Sequence, residues 1–469
     1  MNDKQTIITP MMLKWLPWIA AVSFFMQNLD SSILNTALPA IAKDLNESPL
    51  NMQSAVICYA LAVALFIPVS GFFSDRFGTR NVFIFAVSLF SIGSLMCAFA
   101  NTLLLLDFSR IVQGIGGAMM VPVSRLTLIK SFPRDQFLEA LNTSTLPGLV
   151  GPIVGPLLGG YLVDYASWHW IFLINIPIGI IGVIAGFVYM PNLRGVRMRF
   201  DFVGVCLISS AIVSSTLALE CINEGVRAIM TISLFIGCAV MLILYLFYAK
   251  KTLSPIFPLV LFNIHTFRIG ILGNLISRLG ISSAPFLIPL LLQVGFSFSA
   301  IHSGLMLMPM AIAAFVMRAY VQRILARFGY RRVLVVNTIF IGAIIISISL
   351  LGKEPSLVIF GILLFLLGGA NSLQFTAMNS ITLADLQGDL TSSGNSLMAV
   401  NQQLAISFGI GFATVLLKVF EQQTTLIHGD IVNAFNYSFI VLGIVTCLSS
   451  LIFCALYPQD GKNLINKSN

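Results

Sequence analysis

The sequence predicts an all-α integral membrane protein of 14 transmembrane helices with the N and C termini cytoplasmic. Three features lead there. Hydrophobic residues make up 57% of the 469 and charged residues only 9%, where a soluble domain carries roughly 25% charged. Apolar runs near the 20-residue length that crosses bilayer hydrocarbon recur fourteen times. The connections between them alternate in charge. With the amino terminus inside, nineteen of the 26 Lys and Arg fall on the cytoplasmic side, four on the other and three within spans, the asymmetry that keeps positive loops in the cytoplasm. The net charge of +8 is therefore a topology signal, and no nucleic-acid partner is needed to explain it.

The first run, 15–38, is too long and too polar at its far end to be a cleaved signal peptide, so it counts as a span. Five more follow at 51–73, 81–99, 102–126, 138–163 and 168–190. Two others, 202–220 and 228–249, precede a final six at 268–294, 302–325, 333–351, 355–382, 392–417 and 434–456. The grouping rests on an internal echo. Arg76–Arg80 reads RFGTR and Arg327–Arg331 reads RFGYR, an offset of 251; Gly116-Gly117-Ala118 returns as Gly368-Gly369-Ala370, an offset of 252. Two agreeing offsets indicate a parallel duplication, a recurring plan for secondary carriers. Residues 1–190 and 266–460 are then two six-helix bundles, 191–265 holds two inserted helices, and 461–469 is a cytoplasmic tail.

Composition also narrows the function classes. Seven cysteines lie scattered without a CxxC pair, and the four histidines are equally dispersed, so no disulfide framework, metal site or cofactor is expected. No GxxxxGK[ST] stretch is present to cradle a nucleotide. An enzyme is not expected, and uphill work would draw on an ion gradient. The longest connection is under about 20 residues, too short to house a soluble domain, which argues against a sensor or membrane scaffold.

Charges at bilayer depth are the strongest local signal, because they are costly and face a cavity, a partner or a proton path. Asp30 lies eight residues before the outer end of its span and Arg110 eight residues after the outer start of its own. At 1.5 Å per residue both sit about 12 Å below the outer face, so they can pair. Opposite charge favours the ionised carboxylate and burial favours the protonated one, the tension a proton carrier needs. Arg278 lies about 15 Å into its span from the inner side, with Pro285 and Pro289 behind it to kink the helix. It reads as a substrate-facing cation. Arg318 lies nearer the inner end of its span, where snorkelling suffices.

The connection after the second span reads GFFSDRFGTR. Gly71 permits close helix approach, Asp75 can accept from a neighbouring helix, and Arg76, Gly78 and Arg80 complete a combination that reads as a latch at the inner gate. Its echo supplies Arg327, Gly329 and Arg331, but Ala326 stands where Asp75 does, so the carboxylate latch belongs to one half only. Gly151, Gly155 and Gly159, with Pro156 and Gly160, form a small-residue strip where another helix can approach. Gln27, Asn35, Gln113, Asn142, Asn371, Gln374, Asn379, Asn401 and Gln402 are polar at lipid depth, as cavity groups or as hydrogen bonds between helices.

These motifs resemble those of the major facilitator superfamily. The GFFSDRFGTR turn resembles its cytoplasmic signature, RIVQGIGGA from Arg110 its fourth-helix motif, and GPIVGPLLGG from Gly151 the fifth-helix motif of its antiporters. LDSSILNTALPAI from Leu29, WHWIFLINIPIG from Trp168, FDFVG from Phe200 and GLMLMPMA from Gly304 are similar to the fourteen-helix drug and proton antiporter branch. That branch shows Arg-Gln where this chain has Gln402 and Gln403, so a cationic contact found in relatives is missing. The resemblance implies a major facilitator fold with helices 1 and 4 adjacent, a glycine strip sealing the outer side, and a monomer. It implies a proton-coupled exporter of amphiphilic drugs or small organic compounds, working by alternating access in a bacterial cytoplasmic membrane. The residues themselves indicate no periplasmic adaptor. Counting Asp30, Arg110 and Arg278, the mid-membrane balance is +1, which attracts anions; an acidic natural product such as a carboxylate siderophore is the alternative cargo.

Overall fold

The computed structural model describes residues 9–195, 201–223, 228–252, 255–352, 356–386, 389–423 and 430–465. Phe200 and several cations of the charge census, Lys4, Arg197, Arg199, Arg227, Lys353 and Lys467, lie outside the described residues, as does the end of the tail. Every regular element among the described residues is helical.

The chain separates into two compact units, residues 1–200 and 201–469. The first holds α1 (Pro10–Asp44), α2 (Gln53–Phe77), α3 (Thr79–Ala98), α4 (Leu103–Ser131), α5 (Arg134–Tyr165), the one-turn α6 (Trp170–Leu173) and α7 (Asn175–Tyr189). Local chemistry sets the starts. Thr9 caps α1 by accepting from the Met12 amide at 3.3 Å, just ahead of Pro10, and Thr102 caps α4 through the Leu105 amide at 3.3 Å. α1 packs along α5 and also meets α4 and α7, while α4 lies between α2 and α3. Its core gathers Leu16, Met26, Val63, Phe83, Phe90 and Met120.

The second unit contains α8 (Phe202–Asn223), α9 (Ala228–Lys251), α10 (His265–Ile281), α11 (Ala284–Leu290), α12 (Ala300–Phe328), α13 (Tyr330–Ser349), α14 (Leu357–Leu383), α15 (Asp389–Gln422), α16 (Ile431–Cys454) and the short α17 (Lys462–Ile465). Its internal pairing repeats that of the first unit. α10 packs on α15 as α1 does on α5, α12 on α14 as α2 on α4, and α13 on α16 as α3 on α7. The duplication read from two short motifs thus extends to helix partnership. The inserted hairpin α8–α9 groups with the second unit, α8 resting on α15. Two spans read as continuous are interrupted. The run 168–190 breaks at Ile174, and 268–294 breaks after Ile281, resuming as α11 and a π-helical turn at Leu291–Gly295. Pro285 and Pro289 lack the amide hydrogens that a continuous ladder would need.

Among the described residues, twelve helices are long and apolar enough to cross a membrane. α1 is not among them, although its 35 residues span about 52 Å, because its polar residues and prolines lower the mean hydropathy; α5, 32 residues and about 48 Å long, carries several side chains outside the described residues. Large apolar side chains such as Phe99, Leu104, Phe187, Ile229 and Val358 stand exposed, a surface suited to lipid and not to water. The molecule is a multi-pass membrane protein.

Candidate functional site

The buried charges of the first unit meet. Arg110 Nη1 lies 2.7 Å from Asp30 Oδ2, and each side chain is only 1% exposed. Around this pair the polar atoms are closely matched. Gln113 Nε2 donates to Asp30 Oδ1 at 2.8 Å while its Oε1 accepts from Arg110 Nη1 at 2.5 Å, and Arg110 Nε donates to the Ala55 carbonyl at 3.3 Å. Asn175 reaches Asp30 Oδ1 at 3.4 Å and donates to Ser94 at 3.0 Å. The Tyr59 ring lies 4.2 Å beneath the guanidinium, close enough for a cation–π contact. Asp30 thus accepts from three side chains, Arg110, Gln113 and Asn175, and the ion pair is held within a polar cluster.

Helix geometry brings these residues together. Arg110 and Gln113 are three apart on α4 and share a face, while α1 contributes Asp30, α2 the Ala55 carbonyl and Tyr59, α3 Ser94 and α7 Asn175. Asp30 and Gln113 are legible from sequence. Tyr59 and Asn175 are not, because an amide or phenol in an apolar run carries no sign of which neighbour it faces; only the LINIPIG motif flagged the neighbourhood of Asn175.

At the turn between α2 and α3, Asp75 Oδ1 pairs with Lys130 Nζ at the end of α4, 2.8 Å away, with the two side chains 31% and 26% exposed. The partner is thus a lysine counted beforehand only as a topology charge. Arg76 lies over Phe72 and Phe77, and Arg80 over Phe187. Gly71 is exposed, with nothing among the described residues within 4 Å of where its Cβ would stand; the close helix approach expected there does not occur. Gly78 and Gly329, in contrast, both take positive φ, 93° and 75° with ψ of 145° and 158°, a region open essentially to glycine alone. The segment after α7 is strapped across this turn. Thr79 donates to the Pro191 carbonyl at 2.9 Å and accepts from the Leu193 amide at 3.1 Å, and its own amide reaches the Leu193 carbonyl at 3.0 Å. In the echo, Arg327 and Arg331 flank Gly329, and Arg327 lies over Phe328.

The glycine strip of α5 faces α1. A Cβ at Gly151 would stand 2.8 Å from the Leu29 amide nitrogen, and one at Gly159 2.8 Å from the Ile33 carbonyl oxygen; Gly155 meets Ser32. Pro156 and Gly160 are buried beside them. The strip therefore abuts the segment of α1 that holds Asp30.

The remaining polar candidates divide. Gln374 is tied to Asn337 at 2.9 Å and Thr338 at 2.7 Å, Asn401 donates to the Ile271 carbonyl at 3.0 Å, and Gln402 donates to Asn379 at 2.7 Å; these are hydrogen bonds between helices. Asn35 and Asn371 each keep a buried Oδ1 without a hydrogen-bond partner. Gln27 is half-buried. The Asn142 side chain lies outside the described residues. Arg278 is half-buried over the Phe375 ring at 5.2 Å with its Nε unpartnered, and among the described residues no carboxylate lies in ion-pair range of it. Arg318 is exposed.

Residues 20–410 match the family model described as Major Facilitator Superfamily, and a second match covers 271–469. The chain is 43% identical over 455 residues to "Putative multidrug resistance protein MdtD" of Pectobacterium atrosepticum, covering 97% of this chain and 98% of that protein. To the protein of the same description from Salmonella dublin it is 44% identical over 457 residues, covering 96% and 97%. Among solved structures, a D-xylose-proton symporter superposes with a TM-score of 0.69 at 13% identity, over 95% of this chain and 98% of that one, a likeness of fold.

Proposed function

From the premise that this chain belongs to the major facilitator superfamily and is a membrane transporter, not an enzyme, we propose that it is a proton-coupled exporter of amphiphilic organic compounds. The observation that carries the reading is the Asp30–Arg110–Gln113 cluster, an ion pair 1% exposed whose one chemical freedom is protonation of the carboxylate. Arg110 holds Asp30 ionised; a proton arriving from outside neutralises it and releases the arginine; return of the arginine expels the proton inside. Cargo moves in the opposite sense as the two bundles alternate access. α1 and α5 complete fourteen spans with both termini in the cytoplasm of a bacterial cell, and the Asp75–Lys130 pair, sited at the inner end, closes the inner gate. The cargo class follows the name of the 43% identical relative. No cofactor beyond the proton gradient is required, and the monomer suffices.

Arg278 favours a second reading of the cargo. A half-buried cation with no carboxylate in ion-pair range among the described residues attracts an anionic group, so an acidic natural product fits the same carrier. Reconstituted vesicles under an imposed pH gradient, screened with cationic, neutral and polycarboxylate compounds, test both. The expected result is gradient-driven uptake into inverted vesicles that Asp30→Asn abolishes. Full retention by that variant removes Asp30 from the coupling role.

A further inference from the structure

Protonating Asp30 raises a question of charge. It leaves the Arg110 guanidinium buried with no counter-ion, a situation that is strongly destabilising when one member of a buried pair is removed. The structure offers a second acid nearby. Asp107 precedes Arg110 by three residues on α4, so it stands about 4.5 Å along the axis toward the amino end on the same side of the helix. Helical side chains lean toward that end, which places Asp107 within the sweep of a released arginine.

The first turn of α2 faces both residues. Ala55 accepts from Arg110 Nε at 3.3 Å, and its neighbour Ser54 lies with Oγ 2.9 Å from Asp107 Oδ1. Ser54 Oγ is also 3.0 Å from the Asn51 carbonyl. A hydroxyl has one hydrogen and two lone pairs. When Asp107 is ionised that hydrogen goes to the carboxylate; when it is protonated, Asp107 donates to Ser54 and Ser54 turns to Asn51. Both charge states are therefore met by rotating one hydroxyl, as a group that gains and loses a cation needs. The titratable groups around this path are Asp30 from α1, Tyr59 from α2, Cys97 from α3, whose Sγ lies 3.8 Å from Gln113 Oε1, and Glu47, hydrogen-bonded to Asn51 at 3.2 Å.

We propose that Asp107 is the alternate partner of Arg110: the guanidinium pairs with Asp30 while that carboxylate is ionised and crosses to Asp107 when Asp30 takes a proton. Asp107 is thus a positioning residue, acting through Arg110. The proposal rests on Asp30 as the proton carrier, and it explains how the proton can bind without stranding a buried charge.

The test is a mutant cycle on the purified full-length chain, read by thermal unfolding, with Asp30→Asn standing in for the protonated acid. Wild type, Asp30→Asn, Asp107→Asn and the double variant are compared. The expected result is that the double variant loses more than the sum of the single losses, because only there does Arg110 lack both partners. In an Arg110→Gln background the same substitutions should add. Additivity with Arg110 present, or coupling that persists without it, overturns the proposal. Where the double variant is not recovered folded, Asp30→Asn with Asp107→Glu restores a carboxylate and should recover the melting temperature of Asp30→Asn alone; failure to do so also overturns it. This cycle needs no cargo and no gradient. It therefore separates failure of this inference from failure of the proton reading, which shows itself as unchanged gradient-driven flux in Asp30→Asn.

Discussion

Two residues, Asp30 and Arg110, carry the account, and how far each neighbour was legible follows from geometry. Equal depth could be read from sequence because helical rise is constant, and Gln113 followed from its three-residue spacing on the same helix. Tyr59, Asn175 and Lys130 could not, since the rotation of one helix against another decides what they face. Arg110 donates from Nε and Nη1 to three acceptors, and each loses its donor together when the side chain is truncated. Arg110→Ala should therefore cost about 3–5 kcal/mol of stability, measured by denaturation in detergent, because it leaves the Asp30 carboxylate buried and unpaired. A loss below about 1 kcal/mol, the value of an exposed pair, would mean that water reaches the site. Removing the Asp75–Lys130 pair, which is about a quarter to a third exposed, should cost no more than that.

Single elements carry their own constraints. The α2–α3 and α12–α13 turns hold Gly78 and Gly329 at backbone angles that cost other residues about 1–3 kcal/mol. Gly78→Ala should be worse than Gly329→Ala, since the Asn192 side chain occupies the space its Cβ would take while nothing lies within 4 Å at Gly329; equal melting temperatures would contradict this. On α5, Gly151→Val pushes a side chain into the α1 backbone beside Leu29, and overpacking of about 1–3 kcal/mol should lower the yield of folded protein. The sequence announced the α5 strip through glycine spacing, and it marked Gly78 and Gly329 only as members of a repeated motif. It also announced the proline break in the tenth helix, but not its form, because the π-helical turn at Leu291–Gly295 depends on how freed carbonyls are satisfied by neighbours. Gly71 shows the opposite: its place in a glycine-bearing motif suggested contact, and it faces open space.

At the scale of the whole molecule, duplication was legible from two five- and three-residue echoes because each half must rebuild the same helix partnerships. The span count was less so. Among the described residues apolarity identifies twelve membrane-capable helices, and α1, which gives up apolar residues for Asp30 and its polar neighbours, is not one of them. Fourteen spans require both termini on one side: reporters fused after residue 465 and at the α2–α3 turn should both report the cytoplasm, and a reporter between α1 and α2 the outside. A carboxyl-terminal reporter facing outward would contradict that topology. The claim on which the rest stands is that Asp30 itself takes and releases the proton. Infrared difference spectra of the purified chain in lipid nanodiscs, recorded as the pH is lowered, should show a protonated-carboxyl band that is present in the wild type and missing in Asp30→Asn. A wild-type spectrum without such a band while the protein remains folded, or an identical band in the variant, would contradict it.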